Sequence, residues 1–153
     1  MDELDRRILN RLQSDGRCSY ADLGRLVGLS VTAVKERLDK LQRNDVLRRY
    51  SIIVDEKKVG YGVLAFVFIG IDDPEDCAAF ERQMLEIPQV QECHHVTGGF
   101  NYLLKVIAND MSRLEDLLLQ RIKLPGVVSR SETTIVFSSP KNSPFVDCVA
   151  NGA

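Results

Sequence analysis

Three groups of side chains in this sequence have types and spacings that could do chemistry. The first is the histidine pair His94-His95. Neighbours on a strand point to opposite faces, so one ion is not expected to bridge them, and no metal site is assigned. The second group is the cysteines Cys18, Cys77, Cys93 and Cys148. No two form Cys-x-x-Cys, the short loop that aims two thiolates at one ion. They read as free thiols, with Cys148, in a polar tail, the most reactive. The third group is Thr32, Lys35, Glu36, Arg37, Lys40 and Arg43, followed by Arg48 and Arg49. Short polar and long charged side chains in this pattern suit contacts with base edges and phosphates. No Gly-x-Ser-x-Gly, phosphate-binding loop or dinucleotide fingerprint is present, so neither an enzyme nor a cofactor is expected.

Those basic residues need elements to position them. Leu4, Ile8, Leu9 and Leu12 recur at helical spacing after Asp2, an N-cap type, and before Gly16. Ser19-Tyr-Ala-Asp22 has the form of a capping box, and Leu23, Leu26 and Val27 give a second helix ending at Gly28. Ser30 caps a third, with Val34, Leu38 and Leu41 inward. The short gap at Gly28 is that of a helix-turn-helix. Asn44-Asp45 reads as a turn, with Asn44 in the left-handed conformation. Val46-Leu47 and Tyr50 to Val54 then read as a small hairpin, the wing. On this third helix, Thr32, Lys35, Glu36 and Lys40 face solvent, with Arg43 at the edge. Arg37, Lys40, Arg43, Arg48 and Arg49 are placed to neutralise phosphates; Glu36 either selects cytosine through its N4 donor or pairs with Lys40 one turn on, and the pair is the expectation.

The second half repeats itself. Val63 falls on Phe100, Asp73 on Asp110, and Ile87-Pro88-Gln89-Val90 on Leu124-Pro125-Gly126-Val127. Each copy reads as strand, helix, Pro-containing turn and strand, and two copies give a ferredoxin-like βαββαβ domain. The whole is an α+β chain. Residues 1–54 form a winged helix-turn-helix, 55–62 a linker, 63–140 the βαββαβ domain and 141–153 a tail. The run Val63 to Ile69 is apolar at every position, so the strand is expected to be covered on both faces. Two helices cover one face, and a second copy is the expected cover for the other, which makes an obligate homodimer.

Composition agrees with this division. Lys and Arg number 20 and Asp and Glu 22, a net charge of -2. Residues 1–60 carry 13 basic against 10 acidic side chains, and residues 61–153 carry 7 against 12. A weakly positive reader is thus joined to an acidic remainder. No apolar leader opens the chain and no run reaches the ~18 residues of a membrane helix, so no membrane partner and a cytoplasmic location are expected.

The chain resembles the Lrp/AsnC (feast/famine) family of regulators. The resemblance rests on Leu4-Asp5-Arg-Arg-Ile-Leu9, Asp15-Gly16-Arg17, Leu23-Gly-x-x-Val-Gly-Leu-Ser30, Arg37-Leu-x-x-Leu41, Thr97-Gly98-Gly-Phe-Asn-Tyr-Leu-Leu104 and Pro125-Gly126-Val127. It implies a reader of double-stranded DNA joined to a ligand-sensing (RAM) domain, with dimers assembling to an octamer and a small amino acid or derivative bound between subunits. By position, the recognition helix runs from Ser30 to Arg43. The effector loop comprises Thr97, Gly98, Gly99, Phe100, Asn101 and Tyr102, faced by Ser131 and Thr133. Two departures matter. The family loop commonly carries acids where this chain has Gly99 and Asn101, which removes the natural partner of an ammonium group. Asp45 stands where the family has Gly. The alternatives are a ligand-free protein-interaction module and a sirohaem decarboxylase-like enzyme. The enzymes share the two-domain plan but carry an Arg-Pro after the histidine strand and a Trp-Pro-Tyr-Asn stretch; this chain has no Trp.

Overall fold

Asp2 opens the first helix by accepting from the Asp5 amide at 2.9 Å, while the Asp5 carboxylate accepts from the Asp2 amide at 2.9 Å. This reciprocal box starts α1 (Glu3–Ser14). The Ser19–Asp22 box expected from sequence starts α2 (Tyr20–Val27), which ends at Gly28 with φ 72°. That left-handed step costs glycine nothing and lets the chain turn at once into α3 (Val31–Arg43), where the Ser30 hydroxyl accepts from the Ala33 amide at 3.2 Å. Gly24 supports the same turn: a Cβ there would meet the Leu29 carbonyl oxygen at 2.5 Å. Ile8, Leu9, Leu12, Leu23, Val27, Val34, Leu38 and Leu41 bury together between the three helices. Leu26 stays 40% exposed on the outer side of α2.

The structure is a computed structural model and describes residues 1–149. It divides into two compact units. One is Met1–Ile53 joined by the described chain from Lys141 onward, and the other is Val54–Pro140. The tail thus returns to the helical unit. Gln13 on α1 accepts from the Val146 amide and donates to the Val146 carbonyl, both at 2.8 Å. One turn earlier, Asn10 accepts from the Cys148 amide at 2.9 Å, and Arg6 donates to the Cys148 carbonyl at 2.7 Å. Cys148 is therefore not a loose thiol in a polar tail. It packs against the helical core, and its Sγ lies 3.4 Å from the Val146 carbonyl.

Two expectations about the chain after α3 are corrected. Asp45, not Asn44, takes the left-handed conformation, with φ 53° against -95° at Asn44. No wing hairpin forms, and residues 44–62 contain no strand. A tight hairpin turn needs residues that accept positive φ, and Arg48-Arg49, the turn's only residues, resist it and repel each other.

The second unit is a four-stranded antiparallel sheet in the order β2-β3-β1-β4, with β1 (Val63–Gly70), β2 (Val90–His95), β3 (Tyr102–Ala108) and β4 (Arg130–Ile135). Helices α4 (Cys77–Leu85) and α5 (Met111–Leu117) cover one face, and α5 widens into a single π-type turn over Leu118–Ile122. Ala65, Val67, Ile69, Tyr102, Leu104 and Val106 bury against Phe80, Met84, Leu114 and Leu117 on that side. Leu64, Phe66, Phe68 and Leu103 alternate with them and point to the open face, where they stay half-buried. The repeat breaks at one place. Phe100 precedes β3 instead of opening it, because Gly98 turns the chain at φ 119° and Asn101 ties the loop to β1. The Asn101 amide donates to the Ile69 carbonyl, and its Oδ1 accepts from the Ile71 amide, each at 2.8 Å.

Candidate functional site

In the helical unit, α3 has two distinct sides. Val34, Leu38 and Leu41 are buried, while Thr32, Lys35, Glu36, Lys40 and Arg43 are exposed. Ser30 is exposed as well, and its hydroxyl serves as the cap. Arg48 and Arg49 are exposed in the chain that follows α3. Glu36 and Lys40 form no ion pair, contrary to expectation, so both charged ends remain directed at solvent.

Arg37 departs from the phosphate-contacting set. Its guanidinium donates to Asp2 at 2.5 Å and to Asp5 at 2.8 Å, tying α3 to the start of α1. These carboxylates hold the Arg37 pKa above its usual value. The Asp5 amide and Arg37 together hold the Asp2 carboxyl below the usual carboxylate range. With Nη1 shared between two carboxylates, this guanidinium serves the fold of the reader.

In the sheet unit the residues assigned to the effector loop fall on two sides. Thr97, Gly98 and Gly99 are exposed, and Phe100 packs on Phe68 of the open face with ring centroids 5.6 Å apart. Tyr102 points the other way. It is buried among the helix-side residues, 5.0 Å from the Phe80 ring, and its hydroxyl donates to Glu81 Oε1 at 2.7 Å. Burial first, then the bond to Glu81, pushes its pKa up. Tyr102 is thereby a core residue and is withdrawn from the ligand-contacting set. Ser131 and Thr133 pair in register with Ile69 and Val67, whose side chains are on the helix side, so they too face away from Phe100. Asn101 uses its carbonyl oxygen on the Ile71 amide, as described above.

The residue the sequence reading missed is Arg130. It alternates with Ser131 onto the open face and lies over the Phe100 ring, 5.2 Å from its centroid, while donating to the Gly99 carbonyl. Period-two alternation along β4 is the signal that would have found it. His94 and His95 point to opposite faces: His94 bonds Glu92 at 3.0 Å, and His95 stacks on Tyr102 at 4.9 Å. The bond to His94, with help from Lys105, holds Glu92 below the usual carboxylate range.

A capped three-helix reader and a separate four-stranded sheet with a loop at its open face define a class: transcriptional regulators that join a helix-turn-helix to a ligand-binding domain. Residues 1–42 match the AsnC-type helix-turn-helix domain, and residues 64–146 match the Lrp/AsnC ligand binding domain. The chain belongs to the Lrp/AsnC family of transcriptional regulators. It is 36% identical over 146 residues to the leucine-responsive regulatory protein of Escherichia coli (strain K12), covering 94% of this chain and 88% of that one. It is 33% identical over 148 residues to the transcriptional regulator AzlB of Bacillus subtilis (strain 168), covering 95% and 94%. Its fold matches the transcriptional regulator NMB0573/L-Met complex of Neisseria meningitidis with a TM-score of 0.89 at 26% identity, over 94% of each chain. No helix among the described residues is long and apolar enough to cross a membrane.

Proposed function

We propose that this protein reads specific duplex DNA sites through α3 and that a small amino acid or related metabolite, bound between subunits of the sheet unit, adjusts that binding. The observation that carries the reading is the exposed face of α3. Thr32, Lys35, Glu36 and Lys40 stand together beyond a helix whose opposite side is fully packed. A helix of this kind presents its N-terminal half to a major groove. Lys40, Arg43, Arg48 and Arg49 supply the phosphate contacts, and Ser30 fixes where the helix begins. The L-Met complex of the Neisseria relative supports an amino-acid-like ligand here, with Thr97, Gly98, Gly99 and Phe100 as its contacts.

The working form is a homodimer. Leu64, Phe66, Phe68 and Leu103 form an apolar strip on the open face that a second sheet would cover. The segment Tyr50–Val54 also lacks a strand partner, with Ile52 and Ile53 each 83% exposed. Assembly of dimers to an octamer rests on family membership, as does a cytoplasmic location.

The test is a gel-shift series with the full chain and fragments of its source genome, including the region upstream of its own gene, at ~0.15 M salt where the screening length is ~8 Å. Retention of a subset of fragments over random duplex is expected. Equal affinity for all fragments would remove the reading.

A further inference from the structure

We propose that Arg130 selects the ligand of the Thr97–Phe100 loop by its anionic group, so that the effector is a carboxylate lacking a free ammonium, of the kind a 2-oxo acid offers in place of its amino acid. The proposal rests on the reading that this loop holds the effector and adds the class of molecule it takes.

Arg130 is a built feature of the open face. It pairs in register with Gly70, and a Cβ on Gly70 would stand 2.6 Å from Arg130 Nε. The missing side chain at Gly70 is what lets the Arg130 stem cross β1 toward the loop. There the guanidinium rests on the Phe100 ring, which is itself held by Phe68, and one N–H is fixed by the Gly99 carbonyl. An aromatic face under a cation and a hydrogen bond at one edge hold the group in one orientation before any ligand arrives.

The charge on Arg130 is not neutralised within the chain. Among the described residues it forms no ion pair. Each nearby carboxylate stands apart from it. Asp72 accepts from the Ser129 hydroxyl at 2.9 Å, Asp73 caps the turn at Pro74, and Glu132 lies two residues further along the same face. The loop from Thr97 to Tyr102 contains no acid, and the Asn101 carbonyl oxygen is committed to the Ile71 amide.

Chemistry then decides between two forms of one carbon skeleton. An amino acid brings a carboxylate and an ammonium. The carboxylate finds a planar guanidinium suited to bidentate pairing. The loop from Thr97 to Tyr102 offers the ammonium no carboxylate, and covering it between subunits without a partner is costly. A 2-oxo acid keeps the carboxylate and the side chain, which can lie beside Phe100, and has no ammonium to satisfy.

The experiment is titration calorimetry of the full-length protein with alanine, valine, leucine, methionine and phenylalanine and with the 2-oxo acid matching each. At least one oxo acid is expected to bind tenfold or more tightly than its amino acid. Arg130→Gln should lose that binding while staying folded, its unliganded Tm within roughly 4 °C of wild type, and Arg130→Lys, which keeps the charge without the fork, should retain part of it. Amino acids binding as tightly as their oxo acids would overturn the inference while leaving the loop as the effector site. Oxo-acid binding unaltered in Arg130→Gln would also overturn it. Absence of binding by all ten compounds would overturn both the inference and the effector reading beneath it.

Discussion

Arg37 of α3 donates to Asp5 of α1 at 2.8 Å, and this bond decides how the reader holds its recognition helix. Asp5 is buried and Arg37 half-buried, and Asp2 adds a second carboxylate. Arg37→Ala leaves Asp5 without its cation and should cost about 1–2 kcal/mol, between an exposed pair and a buried one. A lower urea midpoint with an unchanged slope is the expected readout. An unchanged midpoint would return Arg37 to the surface basic set.

The same pair sets an acid limit on stability. The Asp2 carboxyl is held below its ordinary value in the folded chain by the Asp5 amide and Arg37. A depressed folded pKa contributes stability that is complete above the ordinary carboxylate value, ~3.9, and is lost as pH falls through the folded one. Asp2→Asn should therefore flatten this part of the stability profile below pH ~4. A wild-type profile identical to that of the variant in this window would contradict the assignment.

Tyr102 tests the division between core and ligand loop. Tyr102→Phe keeps the ring beside Phe80 and removes the hydroxyl that bonds Glu81, so it should cost about 1 kcal/mol in denaturant titrations. Effector affinity should not change. A loss of affinity with little loss of stability would return Tyr102 to the ligand-contacting set.

Gln13 reads the tail by its backbone, through two bonds to Val146. Gln13→Ala should speed hydrogen exchange at the Val146 amide and expose the chain after Pro140 to protease. The amide of Leu38, in the core of α3, should keep its protection. Unchanged exchange at Val146 would show that the tail is held by other means.

Much of this was legible in the residues, and the failures have identifiable causes. Local capping chemistry was readable because Ser19, Ser30 and Gly28 act on neighbours a few positions away. The βαββαβ plan followed from the duplicated Pro-containing turns. The wing was misread because β-prone side chains at Tyr50 to Val54 say nothing about whether Arg48-Arg49 can turn the chain. The ion pairing of Arg37 was not legible because its partners, Asp2 and Asp5, lie a whole helix-turn-helix away in sequence. Arg130 was passed over because its meaning depends on Gly70, a glycine on a different strand. The tail carried no periodic pattern, since it is held largely through its main chain, by Gln13, Asn10 and Arg6.

In the proposed function the exposed face of α3 distinguishes one DNA sequence from another. The most direct measurement is the ratio of specific to random duplex affinity, by fluorescence anisotropy across a salt series, for wild type, Lys35→Ala and Arg49→Ala. Lys35→Ala should narrow the ratio, consistent with loss of a contact worth about 1–3 kcal/mol. Arg49→Ala should weaken both duplexes alike and reduce the salt slope by about 1. A ratio untouched by Lys35→Ala, or narrowed as much by Arg49→Ala, would contradict the claim.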